Sequence, residues 1–461
     1  MAMGLSPRRR GLIFVNVVPA CIATSMLSTA MSVALPDVID DFSVDVTLGQ
    51  WVTSGYSLAM AITMPLTAFL ITRFPTKPLY LTGLVSSIAG IALCAVAPTF
   101  PVLMAARMLQ AFGNGLLTAM AQVILLTIYP PDKRGSVMGW YGLSVSAAPV
   151  MAPIIAGLII DAFSWRMIFW AVLPLVVLAL IWALAVFGNV LETHEQRFDV
   201  PSFVLSGTAF AGVTLGIGSI GGGFSPVVAV ELVLGIAAGV VFAVRQLRLS
   251  EPFLDVRTFV SRDFSLSVIG SMTLYFVMMG SSTIMPLYVQ SILGESAVTS
   301  AFVMMPGSIA MAVISPFAGR MYDVFGMKPL FIGGAALLLA SNVGMVSVTA
   351  ETALWVPAAW NAVRCVSIGC LMMPLLTWGT ASLPSSQTAH ASALLTSLRT
   401  VAGAVGTAVF VGILNTVAGG VLSPERMADG MAGLNVTFLC MSASSAVLLA
   451  IAVFFVRGRQ R

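Results

Sequence analysis

Charge is what this sequence has least of. Aspartate, glutamate, lysine and arginine make up 9% of its 461 residues, against about 25% in soluble domains. So few charges cannot cover a water-facing surface, which excludes a soluble enzyme. With 58% hydrophobic residues and a mean hydropathy of +1.00, a disordered chain is excluded too. Histidine is nearly missing: His194 and His390 stand far apart, which argues against a histidine metal site or a catalytic triad. The five cysteines (Cys21, Cys94, Cys365, Cys370 and Cys440) fall in apolar runs with no C-x-x-C pair and no metal-ligand spacing. They read as small buried apolar residues rather than disulfide partners. No G-x-x-x-x-G-K-[ST] loop is present, so ATP is not the direct energy source, and no basic patch or motif supports nucleic-acid binding. No metal and no cofactor is expected.

What the sequence does have is long apolar runs. A transmembrane helix needs about 20 such residues, and the runs between charges and turn residues predict fourteen spans. These lie near 11–34, 49–72, 78–97, 101–128, 135–160, 166–188, 201–220, 225–244, 264–291, 297–319, 329–348, 353–380, 389–417 and 433–456. The first run is too long for a signal-peptide core, so Arg8, Arg9 and Arg10 read as the cytoplasmic anchor of an uncleaved first helix. With the N-terminus inside, 17 of the 22 lysines and arginines fall on the cytoplasmic side, and only Arg166 and Arg426 outside. Arg107, Arg364 and Arg399 lie within spans. Such asymmetry sets the orientation, puts both termini in the cytoplasm and favours an even number of spans.

An internal echo divides the chain. Phe74-Pro75-Thr76-Lys77-Pro78-Leu79-Tyr80 follows the second span and Phe325-Gly326-Met327-Lys328-Pro329-Leu330-Phe331 the tenth, 251 residues later. Arg107 and Arg364 repeat 257 residues apart, each followed by a glycine-containing stretch. Two parallel six-helix halves with an inserted helix pair account for both offsets. The expected units are an N-terminal bundle over 1–197, the inserted pair and a linker over 198–250, and a C-terminal bundle over 251–461. Duplicated halves of this kind mark transporters, whose substrate site lies between the halves near the membrane midplane.

At these residues the chain resembles the major facilitator superfamily, in particular its fourteen-span drug:proton antiporters of the EmrB/QacA type. Val33-Ala34-Leu35-Pro36 and Trp51-Val52-Thr53-Ser54-Gly55-Tyr56 are similar to that family's opening. Arg107-Met108-Leu109-Gln110-Ala111-Phe112-Gly113 matches its R-x-x-Q-[GA]-x-G signature. Ala152-Pro153-Ile154-Ile155-Ala156-Gly157 resembles the antiporter motif G-P-x-x-G-G, with alanines at two glycine positions. Trp165-Arg166-Met167-Ile168-Phe169 matches W-R-x-x-F, and Leu287-Tyr288-Val289-Gln290 with Gly294 resembles the end of the family's ninth helix. Gly319 to Lys328 fits the loop motif G-x-x-x-D-x-x-G-x-K. Departures are equally specific. Ala68, Thr72 and Pro75 replace the usual Gly, Asp and Gly of the first loop, and Leu27 and Ser32 replace a membrane-embedded aspartate and an asparagine in the first span. The missing aspartate is the family's presumed proton carrier.

The resemblance implies an all-α integral membrane protein of the major facilitator fold. It would export drugs or lipophilic small molecules across the plasma membrane, the bacterial inner membrane, by alternating access and in exchange for protons. The small-molecule substrate, protons and the lipid bilayer are the expected partners, and the protein is expected to be a monomer. A dedicated exporter of one neutral or anionic metabolite is the alternative, since loss of the acid at Leu27 removes a cation-attracting group. A membrane receptor or intramembrane enzyme is disfavoured by the lack of a soluble domain and of a catalytic constellation.

Individual residues sharpen these expectations. A lone arginine at a helix centre costs about 2.5–3.5 kcal/mol on insertion scales, so Arg107 must face polar partners within the bundle. It reads either as a conformational coupling residue or as a fixed clamp on the carbonyls of the first span. Gln110 and Asn114 share its face and are expected to line the cavity, with Leu27, Trp51, Tyr56, Tyr275, Met279 and Asn361. Asp37, Asp323 and Lys328 join Arg107 as candidates for coupling; Asp37 also reads as a solvated loop acid, and Asp323 as fixing its own turn against Arg320 and nearby helix ends. Asp161 is expected beside Arg166, and Glu231 in a local pair. Arg364 and Arg399 read as packing groups. The small residues and prolines of the fifth span, Pro149, Pro153 and Gly157 among them, read as a sliding interface that controls opening. Met272, Met278, Met279 and Met285 with aromatic neighbours suit an adaptable apolar cavity, and equally a lipid-facing surface.

Overall fold

A computed structural model describes residues 6–457 apart from 45, 50, 192, 194–197, 220–224, 250–251, 385–386 and 420–421. Of 32, 46–47, 61, 144–151, 153–154, 161, 218–219 and 297 it describes the helical backbone only. Every regular element among the described residues is helical. In order these are α1 (Pro7–Val33), the short α2 (Leu35–Phe42) and α3 (Val46–Gly49), α4 (Trp51–Arg73), α5 (Thr76–Ala95), α6 (Phe100–Ile128), α7 (Arg134–Ala162) and α8 (Arg166–Val186). There follow α9 (Val200–Ser219), α10 (Pro226–Arg248), α11 (Arg262–Leu287), α12 (Ala297–Phe325), α13 (Met327–Val346), α14 (Trp355–Ala381), α15 (Thr388–Val417) and α16 (Met427–Phe454).

Thirteen helices among the described residues are long and apolar enough to cross a membrane. The expected span at 135–160 coincides with the 29-residue α7, many of whose side chains lie outside the described residues. Local chemistry sets the ends. Ser6, Ser225, Ser261 and Ser296 accept hydrogen bonds from the backbone amides three residues on, at 3.1–3.4 Å, and so cap α1, α10, α11 and α12. Gly326, at φ 77°, stops α12 and starts α13, a conformation that only glycine adopts freely. The expected end of that span near 319 is therefore six residues early, and Asp323 sits on a helix rather than in a loop. In the first half the matching turn uses Pro75 at φ −57°, which explains why a glycine is dispensable there.

Contacts between helix ends collect the basic residues at one end of the molecule. Lys77 at the start of α5 donates to Leu184 O near the end of α8 at 2.7 Å, and Tyr80 stacks on Phe187 at 4.1 Å. Arg262 at the start of α11 donates to Phe455 O just after α16 at 3.1 Å. We refer to this as the basic end. At the opposite end Arg166 pairs with Asp41, which also accepts from Trp165 Nε1 at 3.2 Å, and Arg166 donates to Ala97 O at 3.2 Å. The expected partner Asp161 has its side chain outside the described residues; α2 brings Asp41 instead.

α9 and α10 pack on each other, and α9 packs onto α4 and α15. Gly212 and Gly235 let their backbones meet: a Cβ at either would come within 2.6 Å of the partner helix backbone. Arg245 at the end of α10 grips Asp199 before α9 with two hydrogen bonds of 2.9 Å. Outward valines and leucines of α10, such as Val233 and Val241, are exposed, as a lipid-facing surface requires.

Candidate transport site

The polar residues of α6 form one stripe. Gln110, Asn114, Thr118 and Gln122 recur every four residues, with Arg107 one turn before the first, and side chains at that spacing share a face. Arg107 lies two turns into α6 and is fully buried. Its Nε donates to Val52 O in the first turn of α4 at 3.2 Å, its Nη1 donates to Gln110 Oε1 at 2.7 Å, and its guanidinium lies 4.1 Å from the centre of the Tyr56 ring. The interhelical carbonyl it holds belongs to α4, not to the first span: both α4 and α6 begin at the end away from the basic cluster, which sets Arg107 against Val52. Asn114 ties three helices. It donates to Tyr56 Oη on α4 at 2.6 Å and accepts from Thr24 on α1 at 2.7 Å. Tyr56 thus touches both the buried cation and the amide.

The second half repeats the pattern with its polarity reversed. Arg364 on α14 is 1% exposed and donates from Nη2 to Asn361, one turn before it, at 2.5 Å. Asn361 in turn donates to Met304 O on α12 at 3.5 Å. Both arginines are thus held by a side-chain amide on their own helix; Arg107 itself, and for Arg364 the amide of Asn361, reaches a carbonyl of a neighbouring helix. Arg399 on α15 differs: it lies 4.7 Å from the centre of the Tyr275 ring, and neither its Nε nor its Nη1 has a partner.

Helices of the two halves meet along a seam. Thr396 on α15 donates to Gln122 Oε1 on α6 at 3.3 Å, beside a small cavity of about 10 Å³ bordered by Thr118, Ser392 and Met64. Towards the basic end α7 and α12 approach closely, because Gly135, Gly139 and Gly319 carry no side chain: a Cβ on Gly319 would come within 2.1 Å of Gly135 O. Asp323 closes this contact. Its carboxylate accepts from Gly135 N at 2.8 Å, Ser136 N at 2.7 Å and Ser136 Oγ at 2.6 Å. An anion on a helix N-terminus is favoured by the free amides and by the dipole. Asp323, expected to fix its own turn against Arg320 and nearby helix ends, meets a helix end that belongs to the other half, the first turn of α7 across the seam.

Other expected residues fall differently. Leu27 is 0% exposed within the hydrophobic core; its helix α1 packs against α7, α8 and α6. Asp37 is exposed in the first turn of α2, a helix-start acid rather than a loop acid or a buried coupling group. Trp51 is 39% exposed at the start of α4. Lys328 is half-buried at the start of α13. Met279 is half-buried on α11 and packs against Gly403 of α15. The side chains of Pro149 and Pro153 lie outside the described residues, and Gly157 has nothing near its Cβ position. Among the described residues, α7 comes close to α12 and α14 at Gly135, Gly139 and Gly142.

Three participants escaped the sequence reading. Gln122 could have been found by extending the four-residue step of α6 two places beyond Asn114. Asp41 gave no signal beyond its acidic neighbours. His390, buried in the first turn of α15 with Nδ1 unpartnered, was visible as the one histidine inside an apolar run.

The family model of the Major Facilitator Superfamily matches residues 17–407. An uncharacterized MFS-type transporter of Bacillus subtilis, YcnB, is 33% identical over 436 residues, covering 94% of this chain and 92% of the relative. The lincomycin resistance protein LmrB of the same organism is 34% identical over 390 residues, covering 84% of this chain and 81% of the relative. Among solved structures, the proton:xylose symporter XylE superposes with a TM-score of 0.66 at 12% identity over 98% of this chain and 97% of its own, a likeness of fold. With a polar seam inside a wholly helical, lipid-facing scaffold, and with relatives that match nearly end to end, this chain is a multi-pass membrane transporter and belongs to the Major Facilitator Superfamily.

Proposed function

We propose that the chain exports drugs or other lipophilic small molecules across the plasma membrane by alternating access, in exchange for protons. In this proposal 1–197 and 251–461 rock against each other as a monomer with fourteen spans, 198–250 rides outside them, and the basic end with both termini faces the cytoplasm. The polar stripe of α6 that meets Thr396 of α15 carries the proposal: hydrogen-bonding groups are gathered where two sets of helices face each other, as a substrate path requires. Relationship to a lincomycin resistance protein supports a drug as cargo.

Proton exchange needs a group that titrates inside the protein. Among the described residues no aspartate or glutamate is buried as a whole, and the one unpartnered buried carboxylate oxygen belongs to Glu231 on α10. The role is therefore given to His390, buried in the first turn of α15 with Nδ1 unpartnered and of a residue type that titrates near neutrality. A narrower function, export of a single neutral or anionic metabolite, is favoured by Leu27, packed where the family has an acid.

Expression in an efflux-deficient bacterium tests the proposal with a neutral dye, cationic ethidium and lincomycin, with and without a protonophore. Efflux of the neutral dye that stops with the protonophore, and loses that sensitivity in His390→Gln, is the expected result. Efflux that ignores the protonophore overturns proton exchange. Failure of all three compounds with a well-expressed protein overturns the drug exporter in favour of the metabolite exporter.

A further inference from the structure

The interior of this protein is electrically one-sided. Arg107, Arg364 and Arg399 are buried, whereas no described aspartate or glutamate is buried as a whole; Glu231 of α10, expected in a local pair, is half-buried and has one buried oxygen, Oε2, without a partner. Two ion pairs among the described residues, Arg166–Asp41 and Arg245–Asp199, lie towards the two ends of the helices. A buried cation without a counter-charge is costly unless its donors are met. Arg107 and Arg364 meet that need in part through Gln110 and Asn361. Arg399 is 5% exposed, and both its Nε and its Nη1 lack an acceptor.

The surroundings of Arg399 suit a ligand. Tyr275 of α11 offers the face of its ring at 4.7 Å, and Tyr141 of α7, fully buried, donates to Thr118 O on α6 at 3.5 Å. One turn earlier Thr396 makes the seam-crossing bond to Gln122 beside the small cavity. The hydroxyls of Ser392 and Ser397 are also buried and unpartnered. At 1.5 Å per residue Arg399 lies about 16 Å along α15, whose 30 residues span about 45 Å. Thr396, one turn away, bonds the other half, so helices of both halves converge near this unmet, planar donor.

We propose that Arg399, faced by the Tyr275 ring, anchors the anionic group of the transported substrate, and that the preferred cargo is a lipophilic organic carboxylate with an aromatic body. This deepens the export proposal and rests on it. The guanidinium fork matches a carboxylate in two parallel hydrogen bonds, Tyr275 packs the aromatic part, and the one-sided interior repels cations. No bond is made or broken; the carboxylate supplies the charge that the protein interior lacks.

The test compares anthracene-9-carboxylate with its methyl ester, which keeps the aromatic body and loses the charge. Binding to the full chain in lipid nanodiscs is read by fluorescence anisotropy, and flux separately in proteoliposomes. The acid is expected to bind at least about ten-fold more tightly than the ester, the scale of a hydrogen bond to a charged group. That ratio should fall towards one in Arg399→Gln and take an intermediate value in Arg399→Lys, which keeps the charge without the fork. Equal binding of acid and ester by the unaltered protein overturns the anchor without need of any variant, as does a ratio that survives Arg399→Gln. Preferential binding of the acid without flux upholds the anchor and rejects export; flux of both compounds without preference upholds export and rejects the anchor.

Discussion

A single side chain sets the arrangement at the heart of the first half. Arg107 holds α4 through Val52 O and its own helix through Gln110, while Tyr56 covers its charged face. Hydrogen bonds to charged groups contribute about 1.5–3 kcal/mol each, so removing either shifts an equilibrium between conformations by roughly ten-fold or more. Arg107→Ala should cut the export rate by about that factor while leaving membrane abundance near normal, as read by dye efflux beside quantitative immunoblotting. Undiminished efflux would show that Arg107 serves packing alone. Much of this cluster was legible. Residues at steps of three and four on a helix share a face whatever the fold, so Arg107, Gln110 and Asn114 could be grouped from spacing alone. Their partners could not. Val52 and Thr24 are ordinary in sequence, and only the crossing of α1, α4 and α6 brings them within reach.

At the scale of elements, helix ends were largely legible because charge, proline and capping serine mark them, and most expected spans end within a few residues of the observed helices. Where they did not, a local turn was responsible: Gly326 lets α12 run on to Phe325, and the turn at Pro424–Arg426 starts α16 at Met427 rather than near 433. The pair α9 and α10 gives a second prediction. The Arg245 guanidinium, by its hydrogen bonds above all, holds the Asp199 carboxyl below the usual carboxylate range. A depressed value in the folded state means that the contribution is full above the unfolded carboxyl's range and is lost as pH falls through the folded value. The unaltered protein should therefore lose melting temperature on acidification more steeply than Asp199→Asn. The variant should melt slightly lower at neutral pH, and the two curves should converge in acid. Fluorescence-detected melting across a pH series reads this, and parallel curves would reject it. The shift will be small, since exposed ion pairs contribute little.

The whole molecule is held shut along its basic end by α7 and α12. Their backbones touch where glycines face each other, and the reason was invisible in sequence because Gly135 and Gly319 are 184 residues apart. Gly319→Val inserts atoms into that contact at a cost of about 1–3 kcal/mol, a cost that vanishes once the helices part. Spin labels at Lys133 and Arg320, both exposed on either side of the contact, should report a longer mean distance in the variant. An unchanged distance distribution would mean that this contact does not govern opening.

Asp323 adds a consequence of a different kind. The groups that it grips across the seam are mainly main-chain amides of α7, and every residue except proline supplies the same amide. For these two bonds the identity of residues 135 and 136 is immaterial short of proline, so what sequence drift can change there is the size of the side chain and not the bonding group that Asp323 meets.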